Sequence, residues 1–120
     1  MVERTEYILI VDDDEDIRLA LAEALEDEGY QVRTAANGKE ALALLRSSPP
    51  PCLILLDLMM PVMNGWEFRE QQLGDPALAE IPVYVISAAG NVAGAPVPKD
   101  RFIAKPIMLE HLLNLVEQAC

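Results

Sequence analysis

The chain reads as an α/β domain on a doubly wound parallel sheet, and three observations predict it. Apolar runs of strand length recur at 7–11, 52–56 and 81–86, with weaker strand candidates at 31–35 and 101–104. Between most of them lie apolar residues at helical spacing, so strand and helix alternate along the chain. The run at 52–56, CLILL, is apolar throughout until Asp57 ends it, as expected of a strand covered on both faces.

Each element follows from local chemistry. Tyr7 to Val11 is an apolar strand that stops at the acidic run 12–16. The helix behind it places Ile17, Leu21, Ala24 and Leu25 on one face, carries acids where the helix dipole is positive, and closes at Gly29. Gln31 to Ala35 is a weaker strand; Asn37 with Glu40 three residues on has the spacing of a capping box. The next helix turns Ala41, Leu44 and Leu45 inward, and 47–51 is a loop. After the central strand, Pro61 forbids continuation and a helix runs from about Asn64 to Leu73, broken by Gly74-Asp75-Pro76. The apolar run 81–86 ends in Ser87. Residues 88–100 hold Gly90, Gly94, Pro96 and Pro98, poor helix material that has room for a helical turn only. A short strand, 101–104, precedes Lys105-Pro106, and a last helix uses Leu109, Leu112, Leu113 and Val116.

Bulk properties narrow the function. With 120 residues the chain forms one domain, 1–120, around one core. A hydrophobic fraction of 52% excludes disorder, and 5% aromatics make the core aliphatic. The net charge of −11 argues against nucleic-acid binding by this domain, because phosphate backbones are held by basic patches. No apolar stretch approaches the roughly 20 residues of a membrane span, and the N-terminus lacks the pattern of a signal peptide. Cys52 and Cys120 have neither zinc nor redox spacing; Cys52 is read as a small packing group, and the pair as residents of a reducing, cytoplasmic compartment.

The polar residues converge. In a parallel sheet all carboxyl ends share one edge, and Asp12, Asp13, Asp57, Ser87 and Lys105 all fall at strand ends. The strand order 2-1-3-4-5 sets strands one and three side by side and so gathers the three carboxylates. Like charges so close raise one another's pKa, and a divalent cation such as Mg²⁺ relieves this while leaving positions for phosphate oxygens. With Lys105 and Ser87 holding the remaining oxygens, Asp57 could act as a nucleophile toward a phosphoryl group. Singly, these residues have blander readings: a solvated helix start for 12–16, a strand-end hydroxyl for Ser87, a surface charge for Lys105, packing for Met59, Met60, Met63 and Phe102. His111, beside the apolar stripe of the last helix, reads as structural, and Trp66 is left open between surface and partner contact.

The segments ILIVDDDEDIR (8–18), LLDLMMPVMNG (55–65), VISA (85–88) and FIAKP (102–106) resemble the receiver domain of two-component response regulators. The resemblance implies a flavodoxin-like fold and a phosphoacceptor at Asp57. Asp12 and Asp13 match the acidic pair that holds Mg²⁺, and Met59 would add its backbone carbonyl to the metal. Ser87 matches the switch hydroxyl, Lys105 the phosphate-binding lysine with a cis bond to Pro106, and Phe102 the switch aromatic. The implied partners are a sensor histidine kinase or phosphotransfer protein and a downstream protein target. Such a domain catalyses its own phosphorylation but is a signalling module. The segment between Ser87 and Lys105 is shorter than in the family, so the fourth helix is expected to be short or missing and output through it altered. Two rival functions compete. One is a binding scaffold on the same fold, read through 88–100 without phosphorylation. The other is a haloacid-dehalogenase-like phosphohydrolase suggested by Asp12-x-Asp14, which the chain's length and Asp16 disfavour.

Overall fold

A computed structural model describes residues 6–120. Five parallel strands form one sheet in the order β2-β1-β3-β4-β5: β1 (Tyr7–Val11), β2 (Gln31–Ala35), β3 (Leu53–Leu56), β4 (Val83–Ser87) and β5 (Phe102–Ala104). Four α-helices accompany them: α1 (Glu15–Asp27), α2 (Gly38–Ser47), α3 (Gly65–Leu73) and α4 (Leu109–Ala119). The order and the parallel pairing are those expected from the sequence.

Alternation along the strands explains the layering. Tyr7, Leu9 and Val11 of β1 join Ile54 and Leu56 of β3 in a core with Ala41, Leu42 and Leu45 of α2 and Phe68 of α3. Ile8 and Ile10 point the other way, joining Leu53, Leu55 and Ile103 against Leu21, Ala22 and Leu25 of α1 and Leu112 and Val116 of α4. Every residue of β1 and β3 is buried, which is why these strands are apolar runs rather than alternating ones.

Between β4 and β5 no α-helix forms. Two 3₁₀ helices, Ala89–Gly94 and Lys99–Arg101, take its place, as the Gly and Pro content of 88–100 dictates. The second begins just after Pro98 and absorbs Arg101, so β5 starts one residue later than the sequence implied. The segment is pinned from α3: the Trp66 indole Nε1 donates to the Gly94 carbonyl at 2.7 Å, and Arg69 Nε donates to the Pro96 carbonyl at 3.2 Å. Trp66 is therefore a half-buried clamp within the domain.

Several local expectations change. Cys52 and Cys120 form a disulfide with a Cα–Cα distance of 5.4 Å, so Cys52 is not an isolated packing group and the argument from free thiols to a reducing compartment lapses. A sequence separation of 68 gives no hint of this pairing; it exists because α4 runs back along the sheet to where β3 begins. α4 buries Leu112 and Val116 as expected, but Leu109 is exposed, as is His111 beside the stripe. Asn37 does cap α2, accepting from Glu40 N at 2.9 Å, but Glu40 accepts in return from Ala36 N and from the Asn37 side-chain amide, not from the Asn37 backbone N–H that a capping box requires. The full capping box is at α3, where Asn64 and Glu67 satisfy each other's backbone donors.

Candidate functional site

The candidate site lies along the carboxyl edge of the sheet, and the backbone of β1 and β3 places its acids. β1 and β3 are paired with Val11 opposite Leu56, and Asp57 N donates to the Val11 carbonyl at 2.8 Å. Asp12 and Asp57 thus leave adjacent strands at the same level. Asp12 is 4% and Asp57 6% exposed, whereas Asp13 is exposed. Carboxylate oxygens of Asp12, Asp13 and Asp57 all come within 4.8 Å of one another.

Few donors hold these acids. Asp12 Oδ1 accepts from Asp14 N and Asp57 Oδ1 from Leu58 N, each at 2.9 Å. Lys105, delivered by the end of β5, sets Nζ 3.6 Å from Asp12 Oδ2 and 3.6 Å from Asp57 Oδ1. One ammonium stands against three carboxylates. Burial, reinforced by the negative charge of Asp12, pushes the Asp57 carboxyl up from 3.8 to about 6, with Lys105 opposing. An all-oxygen donor set with excess negative charge fits a hard divalent cation.

The loops around the acids are built for close approach. A Cβ on Gly65 would sit 2.6 Å from the Asp57 carbonyl and 2.8 Å from Leu58 Cα, so only glycine lets α3 begin there. Its amide donates to the Leu58 carbonyl at 2.9 Å. Val62 adopts φ 68° in a tight turn closed by Met63 N on the Pro61 carbonyl at 2.7 Å, an uncommon conformation for a β-branched residue. The Lys105–Pro106 bond is cis, as expected.

Of the residues singled out in the sequence, Asp12, Asp13, Asp57 and Lys105 are brought together. Ser87 lies 2% exposed at the end of the neighbouring β4. Phe102, half-buried at the start of β5, packs against the core on the α2 and α3 side. The Met59 side chain is exposed. Asp14 turns away from the pocket to cap α1, accepting from Ile17 N at 3.2 Å, so the Asp12-x-Asp14 pairing of a haloacid-dehalogenase-like site does not form.

Two neighbours escaped sequence reading. Arg18 Nη1 donates to the Asp12 carbonyl at 2.7 Å, and Asn91 Nδ2 donates to Ser87 Oγ at 2.9 Å. Arg18 sits one turn into α1, where a long cation can reach back to the preceding strand end. Asn91 carries only the faint signal of a polar group four residues past Ser87.

Comparison with known proteins agrees with this geometry. The sequence pattern of the response regulator receiver domain matches residues 8–117. The chain belongs to this family. The receiver is similar to the response regulator MprA of Mycolicibacterium vanbaalenii, 38% identical over 112 residues that cover 88% of this chain and 46% of that protein. The MprA protein of Mycobacterium tuberculosis is likewise 38% identical over 110 residues. The receiver thus spans about half the length of the curated relatives it matches. Among solved structures, the receiver domain of a histidine kinase from Syntrophus aciditrophicus superposes with a TM-score of 0.84 at 32% identity, covering 96% of this chain and 89% of that one. The receiver domain of NtrX from Brucella abortus gives 0.80 at 34% identity, covering 93% and 96%. Among the described residues, no helix is long and apolar enough to cross a membrane.

Proposed function

We propose that this receiver accepts a phosphoryl group on Asp57 from a phosphohistidine of a sensor histidine kinase or phosphotransfer protein. The observation that carries the reading is the buried Asp57 carboxylate, within 4.8 Å of two further acids and 3.6 Å from a lysine. Oδ1 of Asp57 is engaged by Leu58 N–H and Lys105, which leaves Oδ2 to form the bond to phosphorus. The phosphorus–nitrogen bond to the donor imidazole breaks as that bond forms, and the imidazole leaves with its electron pair and takes up a proton. Mg²⁺, held when bound by Asp12, Asp13, Asp57 and the Met59 carbonyl, would supply the charge neutralisation that an incoming phosphoryl dianion requires. Lys105 neutralises a phosphoryl oxygen on the side of β5, and the Ser87 hydroxyl donates to another.

Signalling follows if Ser87 and Phe102 move when the phosphoryl group arrives, biasing the receiver between two conformations toward a downstream protein target. The face that would relay this is built here from the two 3₁₀ helices and β5, not from a further α-helix. That feature also favours the second reading, a scaffold whose partner docks on 88–100 independently of phosphorylation. The acidic composition supports protein rather than nucleic-acid partners, and a cytoplasmic site of action follows from the kinase as donor.

Incubation with acetyl phosphate and Mg²⁺, followed by intact-mass measurement, tests the reading. One phosphoryl adduct on the native chain and none on Asp57→Asn is expected. Absence of an adduct on the native chain would leave the scaffold.

A further inference from the structure

We propose that Asn91 is a positioning residue for phosphoryl transfer, acting through the Ser87 hydroxyl; the inference rests on the function proposed above. Ser87 Oγ has one proton to give and two lone pairs to offer. The Asn91 amide nitrogen, 2.9 Å away, occupies a lone pair and can take no proton in return. The hydroxyl hydrogen is therefore kept for an acceptor elsewhere. β3 and β4 are adjacent with Leu56 opposite Val85, so Ser87 emerges one position beyond the residue facing Asp57. A phosphoryl oxygen on Asp57 is the acceptor the hydroxyl would meet. An acceptor at position 91 would do the opposite and draw the proton away.

The placement of Asn91 is built, not incidental. Asn91 lies in the 3₁₀ helix Ala89–Gly94, and its own N–H donates to the Ala88 carbonyl at 2.9 Å. The far end of that helix is fixed by the Trp66 bond to Gly94. Trp66 follows Gly65, the residue whose missing Cβ lets α3 touch the backbone of Asp57 and Leu58. One helix terminus thus sets both the backbone of the acceptor and, through the indole, the 3₁₀ helix that carries the amide. The shortened connection between β4 and β5 makes this arrangement possible, because Asn91 is presented by a tight turn immediately after the strand.

The test follows uptake of a phosphoryl group from acetyl phosphate with Mg²⁺ by intact mass, as initial rates. The chains compared are native, Asn91→Ala, Asn91→Asp, Ser87→Ala and the double variant Asn91→Ala with Ser87→Ala. Loss of one orienting hydrogen bond is expected to slow Asn91→Ala about threefold to tenfold. Asn91→Asp, nearly the same shape but an acceptor, is expected to be at least as slow, and it carries the test should the alanine variant fail to fold. In the Ser87→Ala background the Asn91→Ala change should have no further effect, since the group it acts through is gone. A purely structural residue would instead cause the same loss in both backgrounds, which would overturn the proposal, as would native rates for either Asn91 single variant. A native chain that takes up no phosphoryl group overturns the proposed function itself; a phosphorylated native chain with an unimpaired Asn91→Ala overturns only the assignment of Asn91.

Discussion

Replacing the buried Asp57 carboxylate by its amide should make the receiver more stable. Asp57 is 6% exposed, and burial beside Asp12 moves its carboxyl from 3.8 to about 6. That difference of about two units corresponds to about 3 kcal/mol held against the folded state when the group is ionised in both states. Because the folded pKa is the higher, the cost is absent below the unfolded value, grows between about pH 4 and 6, and is complete above about 6. Asp57→Asn removes the charge, keeps an oxygen to accept from Leu58 N, and gives up the attraction to Lys105. In metal-free buffer at pH 7.5 the variant should gain about 1–3 kcal/mol, a rise in Tm of roughly 4–12 °C for a domain of this size. At pH 5 about half of that gain should remain; an isoelectric point near 4.3 makes lower pH unsuitable. Thermal and urea unfolding in EDTA at pH 5, 6, 7 and 8 measures it. Added Mg²⁺ should narrow the gap by stabilising the native chain selectively. Equal stability of the two chains at pH 7.5, or a gain that does not shrink toward pH 5, would refute the electrostatic reasoning.

Other perturbations separate the parts of the site from the scaffold. Lys105→Ala should still accept a phosphoryl group while its conformational response, read by Trp66 fluorescence or NMR, is weakened; a full response would contradict the part given to Lys105. Gly65→Ala must move its Cβ away from the Asp57 carbonyl, 2.6 Å distant, so it should lose about 1–3 kcal/mol in urea unfolding and slow phosphoryl uptake. Unchanged stability would mean that the α3 terminus yields freely. Opening the Cys52–Cys120 disulfide, which spans 68 residues, should cost about 4 kcal/mol by loop-closure entropy. Comparing Cys120→Ser with the oxidised native chain in urea checks this, and identical midpoints would mean that the bond adds nothing.

Much of the fold was legible because its signals are local. The runs at β1 and β3 are apolar without interruption since both faces are covered, and a chain that alternates such runs with helices has few topologies open to it. The candidate site was legible for a related reason: parallel strands present all their carboxyl ends on one edge, so Asp12, Asp57, Ser87 and Lys105 could be grouped from position alone. What stayed hidden depends on long-range geometry. The Cys52–Cys120 bond joins residues that only the completed sheet brings near. The bonds of Trp66 and Asn91 depend on the irregular segment after β4, whose path Gly and Pro content does not specify. Leu109 was misjudged because the stripe on α4 is narrower than its apolar content, with Leu112 and Val116 fully buried.

On the function proposed here, the pocket on the carboxyl edge directs a phosphoryl group to one carboxylate. Treating the receiver with acetyl phosphate and Mg²⁺, reducing any acyl phosphate with borohydride, and sequencing the peptides by mass spectrometry locates the phosphoryl group at residue level. Asp57, and no other residue, is expected to be converted to homoserine. Conversion at Asp12 or Asp13, or a stable phosphate on Ser87 with Asp57 untouched, would contradict it.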